Sequence, residues 1–503
     1  MVSVTFRTFA LATYGLSDDE VTKVRAAEAY SRGDFGVNAE HPMLMKAAIW
    51  GSLGAADAWN QIAPARYRVP VETAVRLPNA VIGAGTVLVM YGVAHAFFGT
   101  PVALIAALLL ALDPNITAIN RLAKEDTFVV FFFLLAVWLY ERAKQVGRAN
   151  VVRAQWWYLG SAAAFGWMMA SKYLPHLYGM YALVNVATQR DAGPNSPIKR
   201  RFFATMAVAF VAANFVSVLP STWQHMLDYA HGVDLPHHGW PYAHRLWVTD
   251  VPISPLGIPP TFYLMLLLTR VPLVTLLGAA VGTVVAVYRR RERGYVFLRV
   301  MLALQILGYS ALAAKFLRYS LPILVLFDLL AAVGIVTVVS WLAKQVKVEG
   351  RAFVAPIAYG ALTLVLFAGQ VQASPFFSTH RNTLARWLDA DGRRFPEGSY
   401  DFGVREAVAR TAASAAPGAE IVSDVPEVVR FYLARSSRTD IQVMSFSGST
   451  LYKTATEQWV MVQDAHAYFE TEQRIALLRM RHAPVAEYRI GDLSVLQLFR
   501  ISR

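Results

Sequence analysis

A chain of 503 residues with 56% hydrophobic and only 16% charged residues, at a mean hydropathy of +0.39, is not an ordinary soluble protein. Its net charge of +13 does not mark a nucleic-acid binder, because the lysines and arginines gather in short loops between apolar runs, as cytoplasmic loops of membrane proteins do. The absence of cysteine excludes disulfides, a thiol nucleophile and cysteine metal ligands.

Residues 1–16 are apolar apart from Arg7 and too short to span comfortably. They read as the remnant of a first span or as a surface-lying helix, with no small-residue cleavage site to suggest a removable leader. A mixed, extracytoplasmic loop is expected over 18–76, within which 43–58 is amphipathic enough to lie at the interface. Apolar runs at 78–98, 101–118 and 127–140 then predict spans. A compact hairpin follows over 156–187, with its tip at Ser171-Lys172-Tyr173. The chain rises again over 201–219 into a long loop, 220–260, rich in His, Pro and Trp. Further spans are expected at 261–288, 295–313, 320–341 and 353–371.

The basic loops 142–155, 190–201, 289–293 and 344–351 are placed in the cytoplasm. Alternation then sends 18–76, 120–126, the Lys172 tip, the long loop, 315–319 and the C-terminus to the outer face. From about Ser374 the pattern changes. Helical stretches (403–415, 426–435, 465–481) alternate with β-rich runs (420–423, 440–444, 458–462, 485–490, 494–501). The expected fold is therefore a polytopic α-helical membrane domain, 1–373, followed by an extracytoplasmic α/β domain with a partly parallel sheet, 374–503. The second domain has no Gly-rich phosphate loop and no nucleophile motif, which suits packing or acceptor recognition better than catalysis.

Four polar constellations share the outer face. Asp18-Asp19-Glu20 follows Ser17, a pattern that starts helices but also puts carboxylates beside a membrane. Glu40-His41-Pro42 supplies a carboxylate and an imidazole, two ligands where a metal site needs more. His231, His237, His238 and His244 in the long loop can complete such a site, with Glu40, His41 and His238 the candidate ligands of a divalent ion. The plainer reading makes the loop histidines surface residues or substrate hydrogen-bonders. Arg121, Lys124, Glu125 and Asp126 stand at the ends of two spans, where ionisable groups are costly and basic pockets hold lipid phosphates. Ordinary snorkelling explains the cations there but not Asp126. Lys172, Lys315, Arg318 and Tyr319 complete an outer set of cations that the positive-inside rule does not explain and an anionic lipid does.

In pattern and order these residues resemble the GT-C membrane glycosyltransferases, specifically the protein mannosyltransferase and aminoarabinose transferase group. The resemblance rests on Asp19-Glu20, Glu40-His41-Pro42, Arg76-Leu77-Pro78, Arg121 with Asp126, and Ser171-Lys172-Tyr173. It continues through His237-His238-Gly239-Trp240-Pro241-Tyr242, Phe262-Tyr263-Leu264 and Arg318-Tyr319-Ser320-Leu321-Pro322, covering roughly 17–340. It departs at Met43, where a second proline is usual, and in the shortness of the first span. The resemblance implies inverting transfer of a sugar from a polyprenyl-phosphate donor to a lipid, glycan or protein acceptor, at the outer face of the plasma (inner) membrane. Asp19 would be the general base, with Glu20 beside it. Arg121, Lys172 and Arg318 would hold the donor phosphate, and Asp126, His41, His237, His238 and Tyr319 would contact substrate. The alternative is a transporter or flippase of lipid-linked sugars. The chain shows neither the internal repeat nor the mid-depth polar residues such proteins carry.

Overall fold

The computed structural model describes residues 1–188, 196–230, 239–347, 350–446 and 457–502. Among the described residues three helices are long and apolar enough to cross a membrane: Ala65–Phe98 (counting the 3₁₀ turn at its start), Leu317–Gln345 and Arg351–Ala373. Two bent pairs raise the number to five, Thr100–Ala111 with Pro114–Asn120 at 63° and Leu273–Tyr288 with Arg293–Ser310 at 119°.

The first bend, and a break at Pro272, correct the unbroken runs expected from hydropathy, while the second bend falls at the expected loop between the runs 261–288 and 295–313. The run 101–118 breaks because Pro114 has no N–H to continue the first helix, while Asp113 Oδ1 accepts the Ile116 N–H (2.9 Å) and caps a new one. The run 261–288 divides into Phe262–Arg270 and Leu273–Tyr288 on either side of Pro272. Helices Glu125–Gly147 and Val151–Ser171 pack side by side, and the expected hairpin tip is the break before His176–Thr188. The long loop contains a helix, Pro220–Ala230, and a hairpin of β1 (Gly239–Tyr242) and β2 (Arg245–Val248), neither of which was expected.

One large apolar core joins the spans. Where Leu273–Tyr288 meets Leu321–Gln345, Gly278, Gly282 and Gly334 let the backbones touch; a Cβ on Gly334 would strike the backbone of Gly278 and Gly282. Lipid offers no hydrophobic drive to such pairing, so close backbone packing supplies it. Two polar clusters stand at opposite ends of the bundle. At one end Glu141 Oε1 takes hydrogen bonds from Lys144 Nζ (3.0 Å), Arg293 (2.7 Å) and the Tyr181 hydroxyl, beside Asn185. The acidic N-terminal segment and the 121–126 turn meet at the other.

The C-terminal region forms β3 (Glu420–Ser423), β4 (Gln442–Ser445), β5 (Glu457–Val462), β6 (Ala486–Ile490) and β7 (Leu493–Ser502) in the order β4-β3-β5-β7-β6. β3 runs parallel to β4 and β5, and β7 antiparallel to β5 and β6, the partly parallel sheet expected from the sequence. Its helices and β5 share an apolar core with the first domain: Leu16, Val21, Val24, Ile49 and Phe128 pack with Val404, Val428, Val429 and Trp459.

Candidate functional site

The acidic stretch opens the helix Asp18–Tyr30, and Ser17 with Glu20 forms its capping box. Glu20 Oε2 accepts from Ser17 N (2.9 Å) and from Arg76 (2.7 Å), while Oε1 accepts from Arg76 Nε (2.9 Å) and Ala123 N (3.0 Å). The side chains of this pair are 0% exposed. Burial alone would raise the Glu20 carboxyl, but the Arg76 guanidinium outweighs it and holds the group below the usual range. Arg76 in turn donates to the Leu11, Tyr14 and Gly15 carbonyls, stitching the N-terminal turn to the Val71–Phe98 helix. Glu20 is thereby fully engaged, which sets it apart from its neighbour as an anchor of the turn.

Asp19 projects from the same turn with its side chain 35% exposed, ion-paired to Lys124 and 3.4 Å from the Tyr400 hydroxyl, which donates to Oδ2. Lys124 is buried, and burial with the nearby Arg318 charge pulls its pKa down to about 7. Lys124 and Tyr400 both line a cleft, together with Arg76, Arg270, Arg318, Glu397 and Asp401. Asp19 stands beside this cleft and meets it through Lys124 and Tyr400.

Arg318 enters the cleft from the 3₁₀ turn Leu317–Ser320. Its guanidinium lies 3.9 Å from Asp126 and 3.6 Å from Glu397, over the Phe316 ring. Lys172 donates to Asp126 Oδ1 (3.0 Å) and sits over the Tyr319 ring at 4.4 Å. Asp126, Lys172, Arg318 and Tyr319 thus form one connected group, as their shared face suggested. Burial raises the Glu397 carboxyl, with Arg318 opposing; its Oε2 accepts the Leu317 N–H (2.7 Å).

Arg121 belongs to a different structure from the one expected of it. It is 1% exposed and donates to the carbonyls of Phe6 (2.8 Å), Phe9 (2.6 Å) and Ala10 (3.0 Å) against the Phe377 ring, away from the cleft lining. A guanidinium so placed ties down the N-terminal turn and is not among the groups that line the cleft. His41 lies near Lys23, Glu125 and Lys46, and burial, with the Lys23 charge adding, lowers its pKa to about 3. Glu40 accepts a hydrogen bond from Asn38. Among the described residues no three His, Asp or Glu side chains converge as a metal site; Glu40 and His41 supply two of the three candidate ligands. His237 and His238 lie outside the described residues.

Sequence reasoning missed Tyr400, Asp401, Glu397 and Arg270. Tyr400 and Asp401 sit in a segment with no periodic pattern, and only folding brings them against a helix that begins 380 residues earlier, as the Asp18 N–H to Asp401 Oδ2 bond (2.7 Å, 383 residues apart) shows. Arg76 and Lys124 carried a signal as charges flanking apolar runs, without any sign of their partners.

Residues 67–220 match the family model described as dolichyl-phosphate-mannose-protein mannosyltransferase. Two candidate mannosyltransferases of Bacillus subtilis (strain 168), YkcB and YycA, are 33% identical over 114 residues and 31% identical over 111 residues. The matched segments make up 23% and 22% of this chain and 16% of each relative, so the chain spans only a small part of the length of these curated relatives. Two solved structures share the architecture over nearly the whole chain. ArnT from Cupriavidus metallidurans bound to undecaprenyl phosphate has a TM-score of 0.56 at 14% identity, covering 99% of this chain and 96% of that one. The Archaeoglobus fulgidus oligosaccharyltransferase in complex with Zn and sulfate has 0.55 at 11% identity, covering 99% and 72%. The chain thus has the fold of the GT-C membrane glycosyltransferases, and its residues 67–220 are similar to the dolichyl-phosphate-mannose-protein mannosyltransferase family.

Proposed function

We propose that this protein transfers a sugar from a polyprenyl-phosphate donor to an acceptor hydroxyl or amine, with Asp19 as general base. The observation that carries the reading is a part-exposed carboxylate, Asp19, ion-paired to the buried Lys124 at the edge of a cleft that Lys124 and the part-buried Arg318 both line. The family description and the lipid bound to ArnT support a polyprenyl-phosphate donor.

In the proposed step the acceptor oxygen or nitrogen attacks the anomeric carbon as Asp19 takes its proton, within hydrogen-bond reach of the carboxylate. The bond between that carbon and the phosphate oxygen breaks, its electron pair leaves with the lipid phosphate, and direct displacement inverts the sugar carbon. Arg318 and Lys124 face the negative charge that develops on the leaving phosphate. Glu397 and Asp126 flank Arg318 at 3.6 and 3.9 Å and set its direction. Glu20 orients the turn through Arg76 and takes no proton from the acceptor. Lys172 serves the site through Asp126.

The cleft end of the bundle is assigned to the outer face of the inner membrane, because the loops around Arg142 and Arg289–Glu292 lie at the opposite end and carry the positive-inside signature. The test is mass spectrometry of lipids and glycans from cells with and without the gene. Accumulation of a polyprenyl-phosphate sugar together with loss of one glycan is expected; identical lipid and glycan profiles would refute the reading and name no substrate.

A further inference from the structure

Among the contacts of the C-terminal domain with the site, one short segment addresses the turn of Asp19 directly. Tyr400 and Asp401 are consecutive and address consecutive residues of the opposite domain. The Tyr400 hydroxyl donates to Asp19 Oδ2 (3.4 Å), and Asp401 Oδ2 accepts the Asp18 N–H (2.7 Å), one of the free amides at the start of the helix that carries Asp19. Behind Asp401 stands His466, 4% exposed, with Nε2 2.6 Å from Asp401 Oδ1 and Nδ1 2.9 Å from the Tyr468 hydroxyl. Gln463 Nε2 donates to the Tyr400 carbonyl (3.1 Å) and lies 3.4 Å from Asp401 Oδ1. Tyr400 itself sits at φ 28°, in the left-handed region that side-chain-bearing residues avoid. Such strain is retained where surrounding contacts over-determine the conformation, commonly at a working site.

A carboxylate held by a buried histidine and glutamine needs no helix amide to satisfy its burial. The Ser17–Glu20 capping box leaves the Asp18 amide without a partner inside the helix, and Asp401 supplies one. The two meet only at the turn that bears Asp19. From this geometry we infer that Tyr400 and the Asp401–His466 pair are positioning residues, through which the C-terminal domain fixes the direction of the Asp19 carboxylate. The inference rests on the assignment of Asp19 as the base. It gives the soluble domain a part in catalysis beyond packing: Asp401 locks the backbone at Asp18, Tyr400 limits rotation of the Asp19 side chain, and His466 locks Asp401.

The experiment uses the full-length protein in detergent and two readouts. The first is hydrogen exchange of the peptide covering Ser17–Val21, which needs no substrate. The second is turnover with undecaprenyl-phosphate mannose as donor probe. Asp401→Ala should speed exchange of that peptide and lower kcat about 10–100-fold with the donor KM unchanged, as loss of positioning does. Asp401→Asn keeps an acceptor for the Asp18 amide and should restore both readouts to within about threefold of the parent, which a general loss of packing would not allow. Tyr400→Phe removes no buried charge and should lower kcat about tenfold while leaving exchange untouched. Unchanged exchange in Asp401→Ala overturns the inference without touching the proposed reaction. So does parental kcat in Asp401→Ala and Tyr400→Phe while Asp19→Asn is inactive. Parental kcat in Asp19→Asn would instead remove the base assignment beneath it.

Discussion

Two arginines that look alike in the sequence separate at the residue scale. Arg121 turns its terminal nitrogens to four backbone carbonyls, whereas Arg318 faces carboxylates at 3.6 and 3.9 Å from a cleft wall. Replacing Arg121 by Gln strands buried carbonyls, at a cost of about 1–3 kcal/mol for each one left unsatisfied. The expected outcome is a lower melting temperature in detergent with an unchanged donor KM in whatever protein folds. Arg318→Gln should raise the donor KM about tenfold or more and lower kcat, with little change in melting temperature. Similar kinetic losses from both would return Arg121 to the phosphate site. The Glu20–Arg76 pair teaches the same lesson. A buried ion pair is expensive to break from one side, about 3–5 kcal/mol, so an inactive Glu20 variant reports folding before chemistry.

Helices and strands carry their own tests. Gly334 lies on the backbone of Gly278 and Gly282, and in a membrane such contact stands in for hydrophobic drive. Gly334→Val should push the helices Leu273–Tyr288 and Leu321–Gln345 apart and lower the detergent melting temperature by several degrees; an unchanged melting curve would contradict the packing described. In the sheet domain, Asp424 follows β3 with Oδ2 buried and unpartnered, and burial pushes its pKa up to about 7 despite the opposing charge of His466. Its unfolded value is about 3.9. Between those two values the unfolded chain has released the proton and the folded chain has kept it, so stability falls as pH rises from about 4 to about 7. Asp424→Asn should therefore raise the melting temperature at pH 8 and leave it nearly unchanged at pH 4. Equal shifts at both pH values would mean that Asp424 does not titrate as described.

For the molecule as a whole, the sequence showed the class of fold better than its geometry. Composition and basic loops gave a polytopic membrane protein, and alternating patterns after Ser374 gave the mixed sheet, with β3 at its expected bounds. Hydropathy could not show the breaks at Asp113-Pro114 and Val271-Pro272, because apolar residues on both sides of a kink read as one run. The site was half legible for a similar reason. Asp19, Asp126, Lys172, Arg318 and Tyr319 stand out as charges or rings at the ends of apolar runs, and the fold gathers them. Nothing local marks Tyr400, Asp401 or His466, whose partners are supplied by tertiary contact across the chain. Nor does spacing reveal that Glu20 and Arg121 are consumed by internal bonds, since a charge looks the same before and after it finds a partner.

The central claim is that Asp19 removes the acceptor proton, and one substitution addresses it. Asp19→Asn in the full-length protein, assayed with undecaprenyl-phosphate mannose, keeps the shape of the side chain and removes its basicity. Turnover should fall about 10²–10⁴-fold, the range a general base contributes, with donor binding and melting temperature close to the parent, and Asp18→Asn should cost far less. Parental turnover by the Asp19→Asn protein would contradict the account.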